Sequence, residues 1–229
     1  MLTNFESLEN IHKGERCFIV GSAPSILDED LSLLKDEKVI TLNHSFKLID
    51  YGLKKYHYYV CADKRSYGDI YKNAKKEIPE AVIKFYPIFF LSLNSYRQEP
   101  LEKFVPRPLN RDNSLLANKF PLSFTDGWIA ERSVIFDASL IAFFMGFDEV
   151  FWLGVDLHYP KDKDTHFFGK RVRAQQNRDP FNLYKDDIIT LLENITNYFE
   201  HNNRKIINLS KNFAFKDYME VSTLEKIFK

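Results

Sequence analysis

Short apolar runs alternate with amphipathic stretches along most of this chain. Arg16–Gly21 (RCFIVG) is a continuous apolar run closed by glycine, the pattern of a strand buried on both faces of a parallel sheet. After a turn, Leu27–Lys35 carries Leu27, Leu31, Leu33 and Leu34 and predicts a helix. Val39–Leu42 (VITL), Tyr58–Ala62 (YYVCA) and Ala81–Phe85 (AVIKF) predict three further strands, with a helix across Tyr67–Glu77 between the last two. Farther on, Ser133–Met145 predicts an apolar helix ended by Gly146, and Glu149–Gly154 (EVFWLG) a strand. Phe181–Asn202 has Leu183, Ile188, Leu191, Leu192, Ile195 and Phe199 at helical spacing, Lys205–Leu209 (KIINL) reads as a last strand, and Val221–Phe228 as a terminal helix.

Strands separated by helices predict an α/β fold with a doubly wound, mostly parallel, Rossmann-like sheet, in one domain over residues 1–229. One segment breaks the pattern. Between Pro87 and Phe124, Pro87, Pro100, Pro106, Pro108 and Pro121 punctuate a stretch without sustained periodicity, which predicts an irregular excursion or lid at about 87–124. No internal repeat and no low-complexity tract interrupts the rest.

Composition narrows the function classes. Of 229 residues 45% are hydrophobic, with 21 Phe and 12 Tyr, which is enough apolar surface for a stable core. Lys+Arg and Asp+Glu balance at 32 each, so no global positive field draws in a polyanion, and nucleic-acid binding is not expected as the main role. The two cysteines, Cys17 and Cys61, each lie inside an apolar run, which points to buried thiols in a reducing compartment, not to a disulfide framework or a zinc site. The first sixteen residues lack a signal-peptide pattern, and the longest apolar runs fall far short of the roughly 18–20 residues that span a bilayer. The expectation is a cytoplasmic protein without a transmembrane segment; a homo-oligomer is compatible with it.

In a doubly wound sheet, ligands sit beyond the carboxyl ends of the strands. Four predicted strand ends carry polar residues. After the first comes Gly21-Ser22-Ala23-Pro24-Ser25, a small glycine-led turn. It suits close approach of a phosphate to backbone N–H groups, or is an ordinary turn with Ser25 as helix N-cap. It matches neither the Walker A loop nor the Gly-x-Gly-x-x-Gly fingerprint. The second strand ends at Asn43, the third at Asp63 beside Lys64 and Arg65, and the fourth delivers Gly154, Asp156, His158 and Tyr159 to the same edge. His166 follows ten residues after Asp156 and precedes Lys170, Arg171 and Arg173. A histidine there can move a proton while the cations hold an anion; equally, these charges can form a solvated face.

Taken together, GERCFIVGSAPS, VITLNHSF, YYVCADK, SVIFDASLIAFFMGFDEVFWLGVDLHY and THFFGK resemble the MptE-like family. That family includes archaeal 6-hydroxymethyl-dihydropterin diphosphokinases and bacterial proteins of surface-glycan and flagellin-modification loci. More distantly, the same blocks are similar to bacterial sialyltransferases that use CMP-activated sugars. The resemblance implies that Gly21, Ser22, Ala23, Pro24 and Ser25 form the nucleotide-phosphate turn, with Asn43, Asp63, Ser133 and Gly154 also on the nucleotide side. It implies catalytic roles for Asp156, Tyr159 and His166, the last resembling the general base of the sialyltransferase relatives. Relatives often carry small residues before the central helix, whereas this chain has Glu131-Arg132-Ser133. Phosphate contact there would come from Arg132 or be absent; Lys170 and Arg171 are the further candidate cations for phosphate or substrate.

The leading expectation is therefore a glycosyltransferase-like transferase that moves a sugar from a nucleotide-activated donor, such as a CMP-linked acidic sugar, to a surface-glycan acceptor. This reading requires no cofactor and no metal. One alternative is an ATP-dependent pyrophosphokinase acting on 6-hydroxymethyl-dihydropterin, with Mg²⁺ held by Asp63 or Asp156. The other is a noncatalytic nucleotide- or glycan-binding module.

Overall fold

The computed structural model describes residues 6–62, 77–87, 102–105, 133–158, 166–169 and 180–229. Among the described residues seven strands form one sheet: β1 (Arg16–Val20), β2 (Lys38–Leu42), β3 (Tyr58–Val60), β4 (Ile83–Pro87), β5 (Glu102–Val105), β6 (Glu149–Leu153) and β7 (Lys205–Asn208). Their order is β5-β4-β3-β2-β1-β6-β7, and every pairing is parallel. The α/β, doubly wound architecture expected from the alternation is present. Val20 is in register with Thr41 on one side and Leu153 on the other, so the strands bring their carboxyl ends to a common edge.

Alternation along the strands sorts the core into two layers. Cys17 and Ile19 of β1, Ile40 and Leu42 of β2, and Val150 and Trp152 of β6 face the layer under α1 (Val134–Phe144) and α2 (Pro180–His201). Phe18, Val20, Val39, Phe151 and Leu153 face the opposite layer, with Ile26, Leu31, Leu34, Phe46 and Leu48. A strand covered on both faces has no solvent side, which is why these runs are mostly apolar instead of alternating with polar residues. Both cysteines are buried free thiols, as their positions in the runs predicted.

Three local expectations need correction. Leu27–Lys35 is not one α-helix: it falls across two 3-10 helices, Pro24–Asp28 and Leu31–Asp36. Glu29 between them is extended (φ −105, ψ 143), and the Asp30 side chain accepts from Ser32 N–H (3.1 Å) to start the second. The acidic triplet thus favours a cap in mid-segment, which overrides the leucine spacing. The proline-punctuated excursion contains a strand, β5, that pairs with β4 through Lys84 to Pro87. Edge strands tolerate flanking prolines because one side of the ladder is open. The terminal helix shrinks to α3 (Leu224–Ile227), with Val221 instead bridging to Asn208 at the end of β7. Most of the Tyr67–Glu77 helix prediction, and the rest of the excursion, lie outside the described residues. Among the described residues no helix is long and apolar enough to cross a membrane.

Candidate functional site

Strand order reverses between β1 and β6: β2 to β5 extend to one side, β6 and β7 to the other. Such a reversal opens a crevice beyond the carboxyl ends, because the following segments leave in opposite directions. The turns after β1 and β6 line it and are tied together. Gly21 N–H donates to Leu153 O (2.8 Å), and Ala23 N–H to Gly154 O (2.9 Å). A Cβ on Gly21 would lie 2.4 Å from Gly154 O, so only glycine permits the approach. Gly154 has φ +65, and its Cβ would stand 2.9 Å from Ile26 Cβ.

Asp156 sits just beyond, in a buried position. Ser25 Oγ donates to its Oδ1 at 2.5 Å, and Ser25 N–H also bonds it. Burial pushes the Asp156 carboxyl above its ordinary range, against the lowering effect of the Ser25 bonds. Leu157 follows in a left-handed conformation (φ 48), which a leucine adopts only where its surroundings hold it. The end of β7 supplies part of that support: Asn208 Nδ2 donates to Val155 O (3.0 Å), and Val155 N–H donates to Ser210 Oγ (2.7 Å). Neither Asn208 nor Ser210 stood out in the sequence, since a polar pair after a last strand also fits a plain turn.

The end of β2 is held in a similar way. Ser45 Oγ accepts from Leu42 N–H (2.6 Å) and donates to Val20 O (2.6 Å), joining the exits of β1 and β2. Asn43 adopts φ 47, and its Oδ1 is buried without a hydrogen-bond partner among the described residues.

Residues 166–169 lie across these exits. His166 Nδ1 is 2.9 Å from Ser22 Oγ, and Phe167 N–H donates to Ser22 O (2.9 Å). The imidazole stacks on Phe168 (2° between planes, centroids 5.0 Å apart), and Phe168 in turn meets the His44 ring at 4.8 Å. Phe167 packs edge-on against Tyr51 at 5.3 Å. The structure therefore brings Gly21, Ser22, Ala23, Pro24, Ser25, Asn43, Gly154, Asp156 and His166 to one edge. Ser133 is the N-cap residue of α1 and makes no side-chain capping bond. Asp63, Arg132, Tyr159, Lys170 and Arg171 lie outside the described residues.

One feature of the turn differs from a glycine-rich phosphate cradle. The N–H groups of Gly21, Ala23 and Ser25 already bond to Leu153, Gly154 and Asp156, and Pro24 has none. Ser22 carries the remaining N–H of the turn.

No family model matches the chain, so the MptE-like resemblance gains no support from that comparison, and no curated protein matches either. Solved structures do. The sialyltransferase CstII from Campylobacter jejuni, in complex with cytidine-5'-monophosphate, superposes with a TM-score of 0.56 at 15% identity over 91% of this chain and 85% of that one. The same enzyme with CMP and a trisaccharide acceptor gives 0.52 at 14% identity, over 90% and 86%. The MAf glycosyltransferase from Magnetospirillum magneticum AMB-1 gives 0.56 at 15% identity, over 96% of this chain and 37% of that larger one. At this identity the likeness is one of fold.

Proposed function

We propose that the chain is a glycosyltransferase-like enzyme that binds a nucleotide-activated sugar in the crevice between β1 and β6 and transfers the sugar to a hydroxyl of a glycan. The observation that carries this reading is the joining of Ser22 and His166, which puts an imidazole over the strand-order reversal. The solved neighbours with CMP and with a trisaccharide acceptor support a CMP-linked donor and a sugar acceptor.

His166 takes the proton of the acceptor hydroxyl. The acceptor oxygen then forms its bond to the anomeric carbon as the bond from that carbon to phosphate oxygen breaks, and the electron pair leaves on the nucleotide phosphate. Departing phosphate needs positive or hydrogen-bonding groups. The Ser22 N–H and the Ser133 hydroxyl are assigned to it, together with Arg132, Tyr159, Lys170 and Arg171 as candidates from the sequence. Asn43, with its buried Oδ1, faces a donor group of the nucleotide. Asp156 acts through Ser25, whose hydroxyl and N–H it holds, and Asp63 is a further polar candidate from the sequence.

A thermal-shift panel of CMP, CDP, UDP, GDP and ATP, each with and without Mg²⁺, tests the reading, since a selective ligand raises the melting temperature by mass action. A shift with CMP independent of Mg²⁺ is expected. An ATP shift that requires Mg²⁺ would replace sugar transfer by pyrophosphoryl transfer. Binding without turnover against a range of CMP-sugars and glycan acceptors would leave a binding module.

A further inference from the structure

Ser22 belongs to the candidate phosphate turn, yet its side chain and its carbonyl are both engaged with the segment that carries His166. Ser22 Oγ stands 2.9 Å from His166 Nδ1, and Ser22 O accepts from Phe167 N–H at 2.9 Å. These are two separate bonds between residues 144 and 145 positions apart in the chain, made by one residue of the β1 turn. Phe168 fixes the plane of the imidazole by stacking on it, while the half-buried setting limits competing water.

We propose that Ser22 is a positioning residue for His166: its hydroxyl holds Nδ1 and thereby assigns proton transfer to Nε2. The proposal rests on the reading of His166 as the base. For Nε2 to accept a proton, the neutral ring must carry its hydrogen on Nδ1, so Ser22 Oγ must act there as acceptor. When Nε2 takes the acceptor proton, the resulting imidazolium keeps its Nδ1–H bond to the same oxygen. A hydroxyl suits this task in a way a carboxylate does not. It accepts from Nδ1–H without adding a negative charge, so it orients the ring while leaving the imidazole a weaker base than a carboxylate partner would. It also places no anion beside a departing phosphate. Ser22 thus serves the reaction through its N–H toward the phosphate and through its Oγ toward the histidine, two directions from one residue.

The test reads the ring directly. In ¹⁵N-histidine-labelled protein, the His166 resonances, assigned with the His166→Ala variant, report the tautomer and the pKa. Wild type is expected to show the Nδ1–H form, and Ser22→Ala to shift His166 toward the Nε2–H form that free histidine prefers. Ser22→Asp should raise the His166 pKa. In a transfer assay, Ser22→Ala should lower kcat by roughly 10–100-fold, the scale for losing the partner that orients a histidine, with donor KM nearly unchanged. Ser22→Thr, which keeps the hydroxyl, should recover most of the tautomer and of kcat. The proposal is overturned if the His166 tautomer is the same in wild type and Ser22→Ala, or if Ser22→Ala weakens donor binding as much as it lowers kcat/KM. A tautomer shift in a protein that transfers no sugar would keep the positioning bond and remove the glycosyltransferase reading, so the two failures are distinguishable.

Discussion

The two edges of the sheet use the same residue types to opposite ends. At the edge where strands begin, polar groups meet one another. Arg16 forms a two-pronged pair with Glu37 (2.6 and 3.1 Å), Lys205 lies 3.7 Å from Glu149, and Lys38 lies 4.0 Å from Glu15. His12 is stacked on Phe147 at 4.4 Å with its Nε2 2.5 Å from Tyr58 OH, and His57 Nδ1 accepts from Val39 N–H at 3.3 Å. Burial lowers the pKa of both histidines, for His12 against the raising effect of Glu15 3.2 Å away and for His57 to about 4, and both serve the packing of this edge. At the edge where strands end, the polar groups hold turns open toward a crevice: Ser25 and Asp156 brace one exit, Ser45 another, and His166 lies over both on a segment from far along the chain. A histidine is therefore judged by which end of a parallel strand it adjoins, since all beginnings share one edge and all ends the other.

Substitution at the two edges should separate function from stability. The largest effect is expected for His166→Ala, which should cut turnover by about 10²–10⁴-fold in a transfer assay while calorimetry shows donor affinity nearly unchanged. His57→Ala should leave turnover within about twofold of wild type; equal losses in the two variants would erase the contrast. Next comes Gly21→Ala. Its new Cβ meets backbone at 2.4 Å, so the β1 and β6 exits must separate, at a cost of about 3 kcal/mol in urea unfolding. An unchanged midpoint would show that the exits are not tightly coupled.

A third effect reads pH. The folded pKa of His57 is depressed to about 4 from 6.5, so the unfolded chain takes up the proton first. Stability should fall as pH drops from 6.5 toward 4, by about 1–2 kcal/mol once partial exposure is allowed for, and His57→Gln should flatten that part of the curve. The smallest change has a diagnostic sign. Asp156→Asn keeps an acceptor for Ser25 Oγ and removes a desolvated charge, so chemical denaturation should show a gain in stability at neutral pH. Because the folded pKa of Asp156 is raised, wild type itself gains as pH falls through that value and the gap to the variant closes. A loss of stability at neutral pH would instead mean that the charge supports the fold.

Much of this architecture is legible in the sequence because a strand covered on both faces is apolar at most of its positions. RCFIV, EVFWL and KIIN therefore stand out without any alignment. What stays hidden has identifiable causes. The Leu27–Lys35 segment has helical leucine spacing, but the caps around Asp28-Glu29-Asp30 divide it. β5 has four residues between Pro100 and Pro106, too short and too polar to announce a strand. At the site, the positions of Gly21, Asp156 and His166 follow from strand ends, whereas their partners do not. Nothing in the local sequence says that Ser22 bonds a histidine, that Ser25 bonds Asp156, or that Ser210 supports Val155, because each bond closes across a large sequence separation.

That separation has a kinetic consequence. β1 can pair with β2 early, but its other neighbour, β6, begins at Glu149, more than a hundred residues later. Until then β1 has an unpaired flank, and the glycine turn that follows it has no β6 carbonyls to receive its N–H groups. Closing such long loops is entropically costly and slow, so the crevice should be among the last parts to form during refolding, behind the β1–β2–β3 neighbourhood. During synthesis the nascent chain would emerge with that open edge exposed, an interval in which it is open to pairing with another copy and in which a chaperone would find its first substrate.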